Sequence, residues 1–373
     1  MIIAITTAPS HFSTSAAFYG FICRCLQHLA QQHPAYHFVV IGDRQDAIPA
    51  GSNTSFIFAS PKGRSAIATR YWYDYQLPRI VKKQNADLWL ALDGACSLRS
   101  RVPQLLFMSD TRFLQKTSPL PRKQSSFYRN RTAAALTKAA AVITPSEFSK
   151  KQLIETYGQA QEKITVCYPV PGPLFHAVSW EQKEIIKEKY ADGKEYFLFP
   201  GAIDPASNLH LLLKAFSLFK KRQKTNMLLL IAGPVTVGYT QFTEDLRTYK
   251  FRNEVKLTGN LPVEEMASVT AGAYALVLPL TYRDHALPVW EAMQCEVPVL
   301  AGNNSAFPEL GGDAALYADT ADMNDMAQHM MLLFKDESER DRLIQAGREQ
   351  VREHYMTNAA GILNRLILQA VNG

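Results

Sequence analysis

At 373 residues, 47% of them hydrophobic and 20% charged, the chain is ample for two domains that each bury a core, which excludes a disordered polymer and a disulfide-stapled miniprotein. The net charge of +6 leans towards anionic ligands but is too modest to indicate nucleic-acid binding. The five scattered cysteines lack zinc spacing and read as buried thiols of a reducing cytoplasm, no window approaches a membrane span, and the opening MIIAITTAPS reads as a strand and not a signal peptide.

In chain order, an apolar run predicts a strand at 2–6, helical spacing predicts a helix over 13–30, and 36–41 is the next strand, closing a βαβ unit. The Ser/Thr-rich loop 7–15 carries His11, either a plain loop residue or a contact at a cleft. Short strands follow at 55–59, 88–91 and 104–108. Between them 66–83 reads as a helix kinked at Pro78. Its aromatic run of Tyr71, Trp72, Tyr73 and Tyr75 suits either a core or stacking on a sugar. In FMSDTRFL (107–114), Ser109 and Asp110 stand at a strand end, and Asp110 is either a ligand contact or a cap for the following turn.

The stretch 121–138 is basic, with Arg122, Lys123, Arg129, Arg131 and Lys138 interrupted by Phe127 and Tyr128. It reads either as a helix lying peripherally on an anionic membrane or as a solvated face. A strand at 141–144 leads to Ser146, which suits the N-cap of a helix ending near Gly158.

A strand at 163–167 is followed by PVPGPLF, whose prolines and glycine mark a domain boundary, and by a charged helix over 181–189. EYFLFP opens the second half as a strand ending at Gly201. Asp204–Pro205 is a turn, and Ser207 or Asn208 caps a helix with Leu209, Leu212, Leu213, Phe216 and Phe219 on one stripe. Strands at 227–232 and 255–258 alternate with helices at 240–249 and 263–271. A strand at 275–278, an irregular loop at 279–287, a helix opening at Pro288 and a strand at 297–301 come next. Helices at 322–334, 337–354 and 357–371 finish the chain. The alternation predicts α/β architecture with parallel sheets covered on both faces. A loop ending at a helix N-terminus suits phosphate, and Glu291, one turn inside the helix, suits a ribose diol.

The run ALPVWEAMQCEVPVLAGNNSAFPEL, followed by GGDAALYADTADMNDMAQ, resembles the donor-binding signature of the group 1 (family 4, retaining) glycosyltransferases of GT-B fold. FMSDTRFL and ITPSEFSKKQLIETYG resemble two further elements of that family. The resemblance implies two Rossmann-like domains facing across a cleft: 1–170 on the acceptor side, 171–355 for the donor, and a last helix, 356–373, crossing back to the first. It implies transfer of a hexose from a nucleotide diphosphate sugar to a glycan or lipid-linked acceptor, with no metal and no other cofactor. By that resemblance Asp110 and Arg283 are the catalytic candidates. Gly201, Ser207, Asn208, Arg283, His285, Ala286, Leu287, Glu291 and Glu309 are the donor side, and His11 and Ser109 the acceptor side.

The pattern departs from the family at charged positions. The arginine position after the glycine is Ala202, the lysine position is Ser207, the variant arginine position is Ala206, and the first of two glutamates is Arg283. Arg283 and His285 are then either a relocated positive charge for phosphate or marks of a site that has lost transfer. A catalytically degenerate protein that binds a nucleotide or a partner, and a nucleotide-sugar epimerase, are the two rival readings.

Overall fold

The computed structural model describes the chain apart from residues 8–15, 44–52, 63–64, 116–119, 159–160, 237–240, 353–355 and 373. It divides into two compact units, Met1–Val170 with Tyr355–Gly373, and Pro171–His354.

The first unit is a seven-stranded sheet in the order β3-β2-β1-β4-β5-β6-β7, every pairing parallel. Its strands are β1 (Ile2–Thr6), β2 (His37–Gly42), β3 (Thr54–Phe58), β4 (Leu88–Ala91), β5 (Gln104–Phe107), β6 (Ala141–Thr144) and β7 (Ile164–Val166). Side chains alternate between two cores, as a pleat of period two requires. Ile3, Ile5, Phe38, Val40, Leu88 and Leu90 join the helix Ala16–Gln32 and the C-terminal helix Met356–Asn372 on one face. Ala4, Val39, Ile41, Trp89 and Ala91 meet Trp72, Tyr73, Phe127 and Tyr128 on the other.

The second unit is a six-stranded parallel sheet, β10-β9-β8-β11-β12-β13. Its strands are β8 (Tyr196–Pro200), β9 (Leu228–Ala232), β10 (Val255–Gly259), β11 (Ala275–Leu278), β12 (Val299–Gly302) and β13 (Ala315–Ala318). β8, β9, β11 and β12 are almost wholly buried runs, the signature of strands covered on both faces. The α/β architecture with parallel sheets predicted from the alternation is observed.

Local cues place several helix ends. Ser146 caps the helix Glu147–Tyr157, accepting from the Ser149 N–H at 3.1 Å, and Gly158 ends it at φ +62°. Pro288 lies in the first turn of the helix Leu287–Gln294, where its missing N–H costs no bond.

One expectation is corrected. The helix over 66–83 does not simply kink at Pro78. It runs Ala66–Tyr71, widens to a π turn at Trp72–Gln76, where the Leu77 N–H bonds the Trp72 carbonyl, and resumes at Leu77–Lys83. Pro78 has no N–H to offer Asp74, so the ladder is broken one turn before the proline. In the 121–138 stretch Arg122, Lys123, Arg129 and Lys138 are exposed, as the solvated-face reading requires. In the helix Arg122–Lys138 both aromatics are buried, Arg131 is paired with Asp74, and Arg129 donates to the carbonyls of Phe113 and Gln115.

Candidate functional site

In the second unit β8 and β9 continue to one side of the sheet, whereas β11, β12 and β13 build the other. The chain therefore leaves β8 and β11 in opposite directions, and their carboxyl ends open the crevice in which doubly wound sheets bind ligands.

The loop after β8 begins at Gly201, whose φ of +155° is open to glycine. A β-carbon on Gly233, at the end of β9, would lie 1.9 Å from the Gly201 carbonyl oxygen, so the two strand ends touch because residue 233 is glycine. A short 3-10 turn, Pro205–Ser207, then closes on itself. The Ser207 hydroxyl is fully buried and donates to the Asp204 carbonyl at 2.6 Å. Asn208 begins the helix Leu209–Gln223 at φ +53°, a left-handed conformation that asparagine tolerates. Its side chain does not cap that helix; the amide donates to the Pro279 carbonyl at 3.0 Å and the Thr320 carbonyl at 2.8 Å. One residue thus laces the loops after β8, β11 and β13 together. The contact of Asn208 with Thr320 left no trace in the sequence, because it uses the carbonyl, while the Thr320 hydroxyl accepts from the Asn304 amide at 3.2 Å.

The loop after β11 is largely packed inward, with Leu280, Tyr282, Asp284, His285 and Ala286 buried. Arg283 is half-buried, and its carbonyl is held by the Ala306 N–H at 3.2 Å. Its guanidinium returns to the end of β8: a β-carbon on Gly201 would stand 3.9 Å from Arg283 Nη2. The helix Leu287–Gln294 follows; in its first turn Pro288 has no N–H and the Val289 N–H bonds the Ala286 carbonyl at 2.8 Å, which leaves Leu287 as that turn's amide for a ligand. Glu291 is half-buried on this helix, and Glu309 is half-buried on the short helix Phe307–Gly311. The Trp290 indole N–H donates to the Leu310 carbonyl at 2.6 Å and locks the two helices to each other.

All nine donor-side candidates, Gly201 to Glu309, lie in or just beyond the connections after β8, β11 and β12. Two helix N-termini and one guanidinium at a switch point have the chemistry to hold an anion, and carboxylates on the flanking helices have that to accept from hydroxyls.

The remaining candidates are in the first unit. His11 lies outside the described residues. Ser109 is buried, and Asp110 follows it directly after β5. The Asp110 carboxylate accepts the Arg112 N–H at 2.9 Å and is gripped by the Arg112 guanidinium at 2.6–3.0 Å. Of the two roles open to Asp110, the turn cap is the one this structure displays.

A carboxylate that sequence reasoning passed over stands at this sheet's own switch point, between β1 and β4. Asp93 is buried just beyond β4, takes the Tyr73 hydroxyl on its side chain, and gives its carbonyl to the Tyr128 hydroxyl at 2.7 Å. The signal was available in LALDG, an acid closing an apolar run. Burial raises its pKa to about 6, against the opposing pull of the Tyr73 and Ala95 hydrogen bonds. The folded state thus keeps a proton that the unfolded chain releases at lower pH. The stabilisation is complete below the ordinary carboxylate range and is lost as pH climbs through about 6. Asp93→Asn, which keeps an acceptor and cannot ionise, is expected to gain on wild type by about 3 kcal/mol in going from about pH 4 to about pH 7. Urea unfolding of both proteins across that range checks this; parallel stability curves would contradict it.

Comparison with known proteins follows the same division. The family model "Glycosyltransferase Family 4" matches residues 21–170, and "Glycosyl transferases group 1" matches residues 181–350. O-antigen chain mannosyltransferase B of Escherichia coli is 24% identical over 244 residues, 64% of this chain and 63% of that protein. O-antigen chain mannosyltransferase RfbU of Salmonella typhimurium is 25% identical over 201 residues, 53% of this chain and 52% of its own. Each match thus spans less than two thirds of the relative's length. Among solved structures, Anabaena Alr3699/HepE in complex with UDP and glucose superposes with a TM-score of 0.78 at 14% identity, covering 98% of this chain and 99% of that one.

Proposed function

This chain belongs to the group 1 glycosyltransferases, family 4, and on that premise we propose that it transfers a hexose from a nucleotide diphosphate sugar to a glycan or lipid-linked acceptor. The setting is cell-surface polysaccharide synthesis in the cytoplasm, with retention of anomeric configuration and without a metal or other cofactor. Mannose is the first hexose to test, because both curated relatives named above are mannosyltransferases.

One observation carries the proposal: the guanidinium of Arg283 beside Gly201. The loop from Gly201 to Asn208 holds no cation and one acid, Asp204, so backbone amides alone would face a diphosphate there. Arg283 brings a permanent positive charge and a planar fork to that place from the other wall of the crevice. As the bond from the sugar's anomeric carbon to the diphosphate breaks, charge gathers on the departing oxygens. Arg283 and the Leu287 amide take it up. The acceptor hydroxyl oxygen forms the new bond to the anomeric carbon and passes its proton to the departing diphosphate oxygen. Glu291 receives the ribose hydroxyls, Glu309 lies on the nucleotide side, and Ser207, His285 and Ala286 shape the wall. Asn208 is a positioning residue. Ser109 and Asp110, with Arg112, belong to the acceptor side.

Calorimetric titration with UDP, GDP, dTDP, ADP and CMP, on wild type and Glu291→Ala, is the direct test. One nucleotide is expected to bind, and the variant to weaken it about tenfold through loss of a charged hydrogen bond to the ribose. If no nucleotide binds, the donor site is not functional, and the degenerate, partner-binding alternative replaces this one.

A further inference from the structure

The donor-side candidates lie after β8, β11 and β12, and the connection after β13 contributes none of them. Thr320, just beyond β13, is nevertheless tied to two of those connections. Its carbonyl accepts the Asn208 amide at 2.8 Å, on the β8 side. Its hydroxyl accepts the Asn304 amide at 3.2 Å, on the β12 side. The junction is closely packed. A β-carbon on Gly302, the last residue of β12, would stand 2.5 Å from Thr320 Cγ2, 2.8 Å from Asn304 Nδ2 and 3.1 Å from the Leu280 carbonyl oxygen. The Thr320 side chain fills space that only a glycine leaves open.

Asn304 passes the constraint on. Its Oδ1 accepts the Ser305 hydroxyl at 2.8 Å, and Ser305 stands at φ +59°. That left-handed conformation is unfavourable for a residue with a β-carbon and persists only where the surroundings hold it. The turn closes with the Phe307 N–H on the Asn304 carbonyl at 3.4 Å, and it delivers the Ala306 N–H to the Arg283 carbonyl at 3.2 Å. The backbone that carries the Arg283 guanidinium therefore hangs from a turn held by two side-chain hydrogen bonds that end at Thr320.

We propose that Thr320 is a positioning residue of the diphosphate site: its hydroxyl, acting through the turn at Asn304 to Ala306, sets where Arg283 stands against Gly201. The inference rests on the donor-site reading above. An arginine side chain has many rotamers, and a fixed backbone beneath it leaves less freedom to lose when a phosphate is gripped. The effect of Thr320 therefore falls on recognition of the phosphates and not on that of the base or ribose.

Calorimetry compares the nucleoside diphosphate that wild type selects among UDP, GDP, dTDP and ADP with its unphosphorylated nucleoside. Thr320→Val keeps the branched shape and the carbonyl and removes the hydroxyl, whereas Thr320→Ser keeps the hydroxyl. Thr320→Val is expected to bind the diphosphate about three- to tenfold more weakly and the nucleoside as wild type does. Thr320→Ser is expected to match wild type within about twofold, and Asn304→Ala, which removes the same bond from its other end, to lose at least as much as Thr320→Val. In an Arg283→Ala background, Thr320→Val is expected to add less than about twofold, because a residue that works through Arg283 then has nothing left to position. Circular dichroism confirms that each variant is folded. An equal loss for diphosphate and nucleoside, or the same loss with and without Arg283, would overturn the inference. Diphosphate affinity unchanged in both Thr320→Val and Asn304→Ala would also overturn it and leave the donor-site reading standing. Failure of wild type to bind any of the four diphosphates would remove that reading and this inference together.

Discussion

Arg283→Ala is expected to lower kcat/KM for sugar transfer by about 100- to 1000-fold, the scale of removing one charge-stabilising donor from a transition state. The same change is expected to weaken the nucleoside diphosphate by roughly tenfold or more and to leave the unphosphorylated nucleoside unchanged. Arg283→Lys should fall between, since it keeps the charge and loses the fork. The loss is large because the loop from Gly201 to Asn208 carries no cation of its own, Ala202, Ala206 and Ser207 standing there. Ser207 offers no substitute, its hydroxyl being spent on Asp204. Calorimetry of both ligands on wild type and the two variants, followed by steady-state rates with the matching sugar donor, checks both parts. Undiminished diphosphate binding in Arg283→Ala would remove Arg283 from the phosphate site.

The second large effect is structural. Arg131→Met is expected to destabilise the first unit by about 3–5 kcal/mol, because it leaves a buried carboxylate without its counter-charge. Arg131 donates to Asp74 at 2.9 Å and 2.5 Å and to the Cys96 carbonyl at 2.8 Å, and Asp74 also accepts the Leu98 N–H at 3.0 Å. This network pins the π turn to the loop after β4 and to the helix Arg122–Lys138. Replacing both partners, Arg131→Met/Asp74→Leu, should recover part of the loss, since the buried carboxylate is gone while the Leu98 N–H and the Cys96 carbonyl still lose their partners. Burial pushes the Asp74 carboxyl up, but Arg131 and the Leu98 N–H outweigh it, and the pKa ends below its ordinary value. The stabilisation from Asp74 is therefore present above the usual carboxylate pKa and is lost as pH falls through the lowered one. Asp93 runs the other way, so the two carboxylates give this unit opposite slopes with pH. Amide exchange in β1, β4 and β5 reads the stability of this unit alone. Protection in Arg131→Met equal to wild type would show that the pair contributes nothing.

Much of the architecture was legible because its causes are local. Short apolar runs such as Leu228–Ala232 cannot be long helices, stripes such as Leu209 to Phe219 cannot be strands, and Ser146, Gly158 and Pro288 punctuate the chain by their own backbone chemistry. The donor-side candidates, named through the family resemblance, fall after β8, β11 and β12, and their meeting at one sheet edge follows from the fold class. Sequence spacing by itself determined the elements and their ends.

What each side chain does there was decided by residues far away in the chain. Asp74 meets Arg131 across 57 positions, and Asn208 reaches Pro279 and Thr320 across 71 and 112. Arg283 reaches Gly201 because β8 and β11 are neighbours in the sheet although β9 and β10 separate them in the chain. Ser207 looked like a ligand contact and is a turn lock; Asp110 looked equally like a contact and a cap, and its carboxylate is held by Arg112. The aromatic run looked uniform and splits into a buried Trp72 and Tyr73 and an exposed Tyr71 and Tyr75. The physical reason is the same throughout. Periodicity and capping act over one or two turns, whereas the partner of a polar group depends on which strand ends are brought side by side, and only the packed sheets decide that.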